Sequence, residues 1–172
     1  MRIFLVGFMG AGKSVIGRRL AKSLNFSFYD LDEEIESRYK MSVSAIFQKY
    51  DEACFRKLET STLETFSKLD NFVLSCGGGT PCFGENMSLM NSLGTTIYIK
   101  LPANELAKRI ANSFHKRPLT EGKSDEELAS YVNTTLIIRE PFYSMAKITV
   151  DGSGTDKNAL TERILETINR QN

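Results

Sequence analysis

The chain has 172 residues, 41% of them apolar and 25% charged, the size and composition of one globular domain with its own core. Lysine plus arginine number 22 and aspartate plus glutamate 21, which excludes a whole-molecule field that would draw the protein onto nucleic acid or an anionic lipid surface. No apolar run approaches the roughly 20 residues that span a bilayer, and Cys54, Cys76 and Cys82 have neither disulfide-framework nor zinc-ligand spacing. The expectation is a cytoplasmic protein in a reducing compartment, without nucleic acid or membrane partners.

The opening MRIFLVGFMG begins like a secretory leader, but Lys13 cuts the apolar run short and no Ala-x-Ala-like cleavage site follows. Read instead as structure, 2–6 is dense in β-formers and is followed by GFMGAGKS. Gly7, Gly12, Lys13 and Ser14 satisfy G-x-x-x-x-G-K-[ST], with the required strand before and helix after. Glycines let successive N–H groups turn toward phosphate oxygens, and the following helix points its positive dipole end at the same anion. Lys13 suits the β- and γ-phosphates and the Ser14 hydroxyl suits Mg²⁺. In the helix, Ile16, Leu20 and Leu24 repeat every four residues while Arg18, Arg19 and Lys22 fall elsewhere.

A second strand is predicted at 27–30, leading into YDLDEEIE, where a strand persisting through Asp32 would put Asp30 and Asp32 on the same side. Carboxylates at a strand's C-terminal end lie where α/β sheets bind ligands. One could hold Mg²⁺ through water while the other accepts or orients a hydroxyl; Glu33, Glu34 and Glu36 read as the acidic first turn of a helix. A helix is predicted over 43–69, and within it Arg56 and Glu59 stand three apart, so the carboxylate can orient the guanidinium. The strand at 72–76 runs into Gly77, Gly78 and Gly79, whose backbone N–H groups are neutral donors.

Helices follow at 86–92, 103–112, 125–138 and 157–169, and strands at 96–101 and 147–150. Arg139 falls where a helix is expected to stop before Pro141. The basic stretch SFHKRPLTEGK has the length of a functional lid or a connector. His115 within it reads as a solvated loop residue, Cys54, Cys76, Met41, Met87, Met90 and Met145 as packing, and Phe55 as either core or a wall of the acceptor site. Alternating strands and helices argue for a parallel sheet covered on both faces. A guanine-reading N/T-K-x-D is missing, and DGSG after the last strand reads as an ordinary turn. Small-metabolite kinase, nucleoside-monophosphate kinase and non-catalytic nucleotide-binding module stay open on these residues alone.

Taken together, GFMGAGKS, the Asp30-x-Asp32 pair, F-R-x-x-E, GGG, Arg117-Pro118-Leu119 and R-x-P-x-Y resemble shikimate kinase over essentially the whole chain. The resemblance implies a three-layer α/β/α P-loop NTPase fold with a five-stranded parallel sheet of order 2-3-1-4-5. It implies one domain over 1–172, with the phosphate loop at 7–14, a shikimate-binding region at about 31–60 and a lid at about 112–124. The reaction implied is transfer of the ATP γ-phosphoryl group to the 3-hydroxyl of shikimate, with Mg²⁺, toward chorismate and the aromatic amino acids.

By the same resemblance Lys13, Asp32 and Arg117 are catalytic, and Gly10, Ala11, Gly12, Lys13, Ser14, Val15, Arg109 and Arg117 bind ATP, Arg109 stacking on adenine. Asp32, Arg56, Glu59, Gly77, Gly78, Gly79 and Arg139 bind shikimate, with Glu59 orienting Arg56. Ser14 and, through water, Asp30 hold the metal. The chain is expected to be a monomer. It departs from the family pattern at Thr120, at Phe142 and in DGSGTDK, which lacks a proline that some members place against the base.

Overall fold

A computed structural model describes residues 1–113 and 124–171. Five strands, β1 (Arg2–Val6), β2 (Ser27–Asp30), β3 (Phe72–Ser75), β4 (Thr95–Lys100) and β5 (Ile148–Asp151), form one parallel sheet in the order β2-β3-β1-β4-β5. Helices α1 (Lys13–Leu24), α2 (Leu31–Tyr39), α3 (Val43–Lys49), α4 (Glu52–Thr65), α5 (Asn86–Leu93), α6 (Ala103–Ala111), α7 (Asp125–Tyr143) and α8 (Lys157–Gln171) flank it in a three-layer α/β/α arrangement, as expected. The central strand β1 is apolar at every position from Ile3 to Val6 and each of those residues is fully buried, as a strand covered on both faces requires. Ile16 and Leu20 put one stripe of α1 into the same core, and α1 packs on β2, β3 and α8.

Three sequence expectations change. The second strand ends at Asp30, which caps α2 by accepting the Asp32 N–H, so Asp32 lies in a helical first turn and the same-side strand argument does not apply. Acidic residues in succession favour that helix start, where Asp32, Glu33 and Glu34 meet the positive end of the dipole. The helix expected over 43–69 is divided at Tyr50 and Asp51, because Asp51 accepts the Cys54 N–H at 2.7 Å and starts α4 afresh. Finally, α7 does not stop before Pro141 but runs through it to Tyr143. Pro141 is exposed, as is Ile137 four residues earlier, so the interruption of the helical ladder falls on the wet side.

Phe55 belongs to the core, 4% exposed and 4.8 Å centroid to centroid from Phe47. Met87 and Met90 are buried, whereas Met145 is half exposed and not a packing residue. DGSG is a turn closed by Asp151, whose carboxylate accepts both the N–H and the hydroxyl of Ser153. His115, Arg117 and most of the region expected as a lid lie outside the described residues.

Candidate active site

The phosphate loop joins β1 to α1 at the C-terminal end of the sheet. Gly7, Gly10 and Gly12 have φ of 139°, 81° and 90°, a region that side-chain-bearing residues rarely enter. The ammonium of Lys13, largely buried, donates to the carbonyls of Gly7 and Phe8 at 2.8 and 2.9 Å and so ties the loop across its own width. Beside it, Ser14 Oγ donates to Asp30 Oδ2 at 2.7 Å and lies 3.2 Å from Ser75 Oγ. Asp30 spends its other oxygen on the cap of α2. Ser14, Asp30 and Ser75 present oxygens alone, the donor set of a hard divalent cation. No cluster of three or more His, Cys, Asp or Glu side chains occurs among the described residues, so such a cation would need oxygens from elsewhere, as Mg²⁺ on a nucleotide has.

A cleft of about 860 Å³ opens over this loop. Gly10, Gly12, Lys13, Ser14 and Val15 line it with Asp30, Asp32, Gly77 and Gly78. Its far wall is α6, where Glu105 holds Arg109 at 2.6 Å, together with Lys157 at the start of α8. Ala11 is buried and is not on the wall. A second cavity of about 310 Å³ adjoins the other end of the glycine strip and is lined by Glu52, Arg56, Gly79, Cys82, Phe83 and Arg139, among others.

The three glycines are where these groups meet. A Cβ built on Gly77 would lie 2.9 Å from Glu59 Oε1 and 3.3 Å from Asp32 Oδ1. On Gly78 it would meet Met9 N at 3.3 Å, Arg139 Nη1 at 3.5 Å and Gly7 O at 3.7 Å. On Gly79 it would enter the guanidinium of Arg56, 2.6 Å from Cζ. A side chain on Gly77 or Gly79 would therefore displace a carboxylate or an arginine, and one on Gly78 would press on the phosphate loop. Glycine is required here by close approach, since none of the three has a left-handed backbone.

Arg56 is 8% exposed. Its Nη1 donates to Glu59, while Nε and Nη2 both donate to Oε1 of Glu52, at 3.2 and 3.0 Å. Burial works against its charge, but the two glutamates outweigh that and hold its pKa above the usual value. Glu59 is 1% exposed and accepts from Arg56 and from the Thr80 hydroxyl; burial raises its carboxyl above the ordinary range against the pull of Arg56 and Thr80. Arg139 stacks over the Phe8 ring at 5.6 Å, and Tyr143, one turn further along α7, donates its hydroxyl to the Gly78 carbonyl.

The structure thus brings Lys13, Ser14, Asp30, Asp32, Arg56, Glu59, Arg139 and the three glycines around one strip, with Arg109 on the cleft's far wall. Arg117 lies outside the described residues. Sequence reading missed Glu52, although its place four residues before Arg56 is the spacing of a helical ion pair. It also assigned nothing to Phe8, Ser75 or Glu105. Phe8 carries no signal, being one of the unspecified positions of the phosphate-loop pattern.

A model of the shikimate kinase family matches residues 9–169. A shikimate kinase of Parabacteroides distasonis is 47% identical over 150 residues, covering 87% of both chains. The crystal structure of the Bacteroides thetaiotaomicron shikimate kinase superposes with a TM-score of 0.93 at 36% identity, over 98% of each chain. The Acinetobacter baumannii enzyme, solved in complex with shikimate, gives 0.88 at 32% identity, over 99% of this chain and 93% of its own. On the family match, the identity and the shared fold together, this chain belongs to the shikimate kinase family.

Proposed function

We propose that the chain moves the γ-phosphoryl group of ATP to the 3-hydroxyl of shikimate, working as a single-domain monomer with Mg²⁺. The observation that carries this reading is the glycine strip, which packs the phosphate loop against two arginines and two carboxylates at one end of the sheet. Lys13 and the N–H groups of the loop bind the β- and γ-phosphates, and Arg109 with the α6 wall receives the base. Ser14 and, through water, Asp30 would hold Mg²⁺, which when bound would neutralise charge on the phosphate oxygens.

Arg56 and Arg139 flank the acceptor cavity and take the substrate carboxylate; a guanidinium fork recognises a planar carboxylate in a way a lysine cannot. Asp32 orients the acceptor hydroxyl and takes its proton as the hydroxyl oxygen bonds to phosphorus and ADP leaves with the electrons of the broken bond. Glu59, tied to Thr80, is a positioning residue for Arg56.

The test is ADP release from Mg²⁺-ATP with shikimate present, absent, or replaced by its methyl ester. Turnover that requires shikimate and is largely lost with the ester supports the reaction and the arginine clamp. Background turnover with shikimate, while nucleotide still binds, overturns the acceptor.

A further inference from the structure

Arg56 has two carboxylate partners in opposite settings. Glu59 is buried, bonded a second time by Thr80, and fixed. Glu52 stands at the first position of α4 with its side chain 64% exposed, and it occupies the Nε–Nη2 edge of the guanidinium with a single oxygen. Glu52 also lines the 310 Å³ cavity with Arg56 and Arg139, so the ion pair of Glu52 with Arg56 forms part of that cavity's wall. A carboxylate entering there meets an arginine already paired with a carboxylate.

From this geometry we infer that Glu52 is a displaceable stand-in for the acceptor's carboxylate, and that it sets how strongly the cavity selects charged over neutral acceptors. The inference rests on the acceptor site proposed above. When an acid binds, one carboxylate replaces another on the same guanidinium edge and Glu52 swings into water, which its exposure permits. A neutral analogue cannot pair with Arg56 and leaves Glu52 in place. Glu52 therefore weakens acid binding by the strength of one half-exposed ion pair, and keeps the buried arginine paired while the cavity is empty.

Steady-state kinetics on Glu52→Gln and Glu52→Asp against shikimate and its methyl ester test this. The glutamine removes the competing charge; the aspartate keeps the charge in the first turn of α4 but shortens the reach to Arg56. Both are expected to lower the KM for shikimate, the glutamine by about fivefold, the upper end for an exposed ion pair, without lowering the KM for the ester. A purely structural role, in which Glu52 orients Arg56, moves the shikimate KM the other way. An unchanged or raised shikimate KM in Glu52→Gln, or an equal fall for both acceptors, overturns the inference while wild-type turnover leaves the proposed reaction standing. Absence of shikimate turnover in the wild type overturns both.

Discussion

Gly79 shows how tightly a single position can be constrained by what approaches it. A methyl group there collides with the largely buried guanidinium of Arg56, which is tied to Glu59 and can make room only by shifting along the acceptor cavity and out of its present geometry. Gly79→Ala is expected to lower kcat/KM for shikimate by roughly 10- to 100-fold, the equivalent of one charged hydrogen bond, with ADP affinity unchanged in a binding titration. Cys82, on the wall of the same cavity, has its thiol pushed up to about 11 by burial, with Arg139 and Arg56 pulling the other way. Since only the thiolate reacts, alkylation of Cys82 by iodoacetamide should be slow at pH 8 and rise about tenfold per pH unit up to pH 10. Peptide mapping follows the rate, and a rate that levels off near pH 9, the ordinary thiol value, would show that the wall is open rather than packed. Arg117→Ala should lower kcat by about 10³-fold if this arginine offsets charge on the transferring phosphoryl group. A variant within tenfold of wild type removes it from the mechanism.

Helix α7 carries Arg139 to the wall of the second cavity and Tyr143 to the Gly78 carbonyl, and it does so with a proline in its last turn. The helical cost of proline against alanine is about 3 kcal/mol in an interior position, offset by about 1 kcal/mol because proline also restricts the unfolded chain. Pro141→Ala should therefore stabilise the protein by roughly 2 kcal/mol in denaturant unfolding, and a loss of stability would mean that the proline fits its place. This proline is also where sequence reading reached its limit. A helix stop is the sound inference from the residue itself, and the outcome turned on which side of α7 faces water, a tertiary fact. Asp32 repeats the lesson: its place on the cleft was legible from the strand end that precedes it, its helical setting was not, because the turn that ends β2 at Asp30 is closed by a side-chain cap. The phosphate loop and the glycine strip were legible because each is a short local pattern or a motif with a fixed geometry, whereas the strand order followed from the resemblance to the family and not from any local pattern. Glu52 and Phe8 were not, since their parts come from which face of Arg56 is wet and which ring lies under Arg139.

At the level of the whole molecule, the two cavities lie at opposite ends of one glycine strip, and their occupants should be felt in global stability. Shikimate at 100 times its dissociation constant adds about 2.7 kcal/mol, expected to raise Tm by roughly 5–10 °C for a chain of this size. The methyl ester at the same concentration should raise it far less, and equal shifts would separate binding from the carboxylate. No helix among the described residues is long and apolar enough to cross a membrane. The near-balance of charge means that any anion recognition must be local, as proposed for the phosphate loop and for Arg56 with Arg139.

The ladder between β1 and β3 pairs Leu5 with Ser75, so the two segments that leave those strands, one toward the phosphates and one toward the acceptor, start side by side. Their spacing is a backbone quantity. A slip of one residue in that pairing would shift donor and acceptor by about 3.3 Å, as much as the whole gap between reacting atoms in a productive complex. The spacing of the two loops is thus gauged by main-chain hydrogen bonds at the centre of the sheet, out of reach of surface substitution, while α2, α4 and α7 bring up the side chains of Asp32, Arg56 and Arg139 that complete the site.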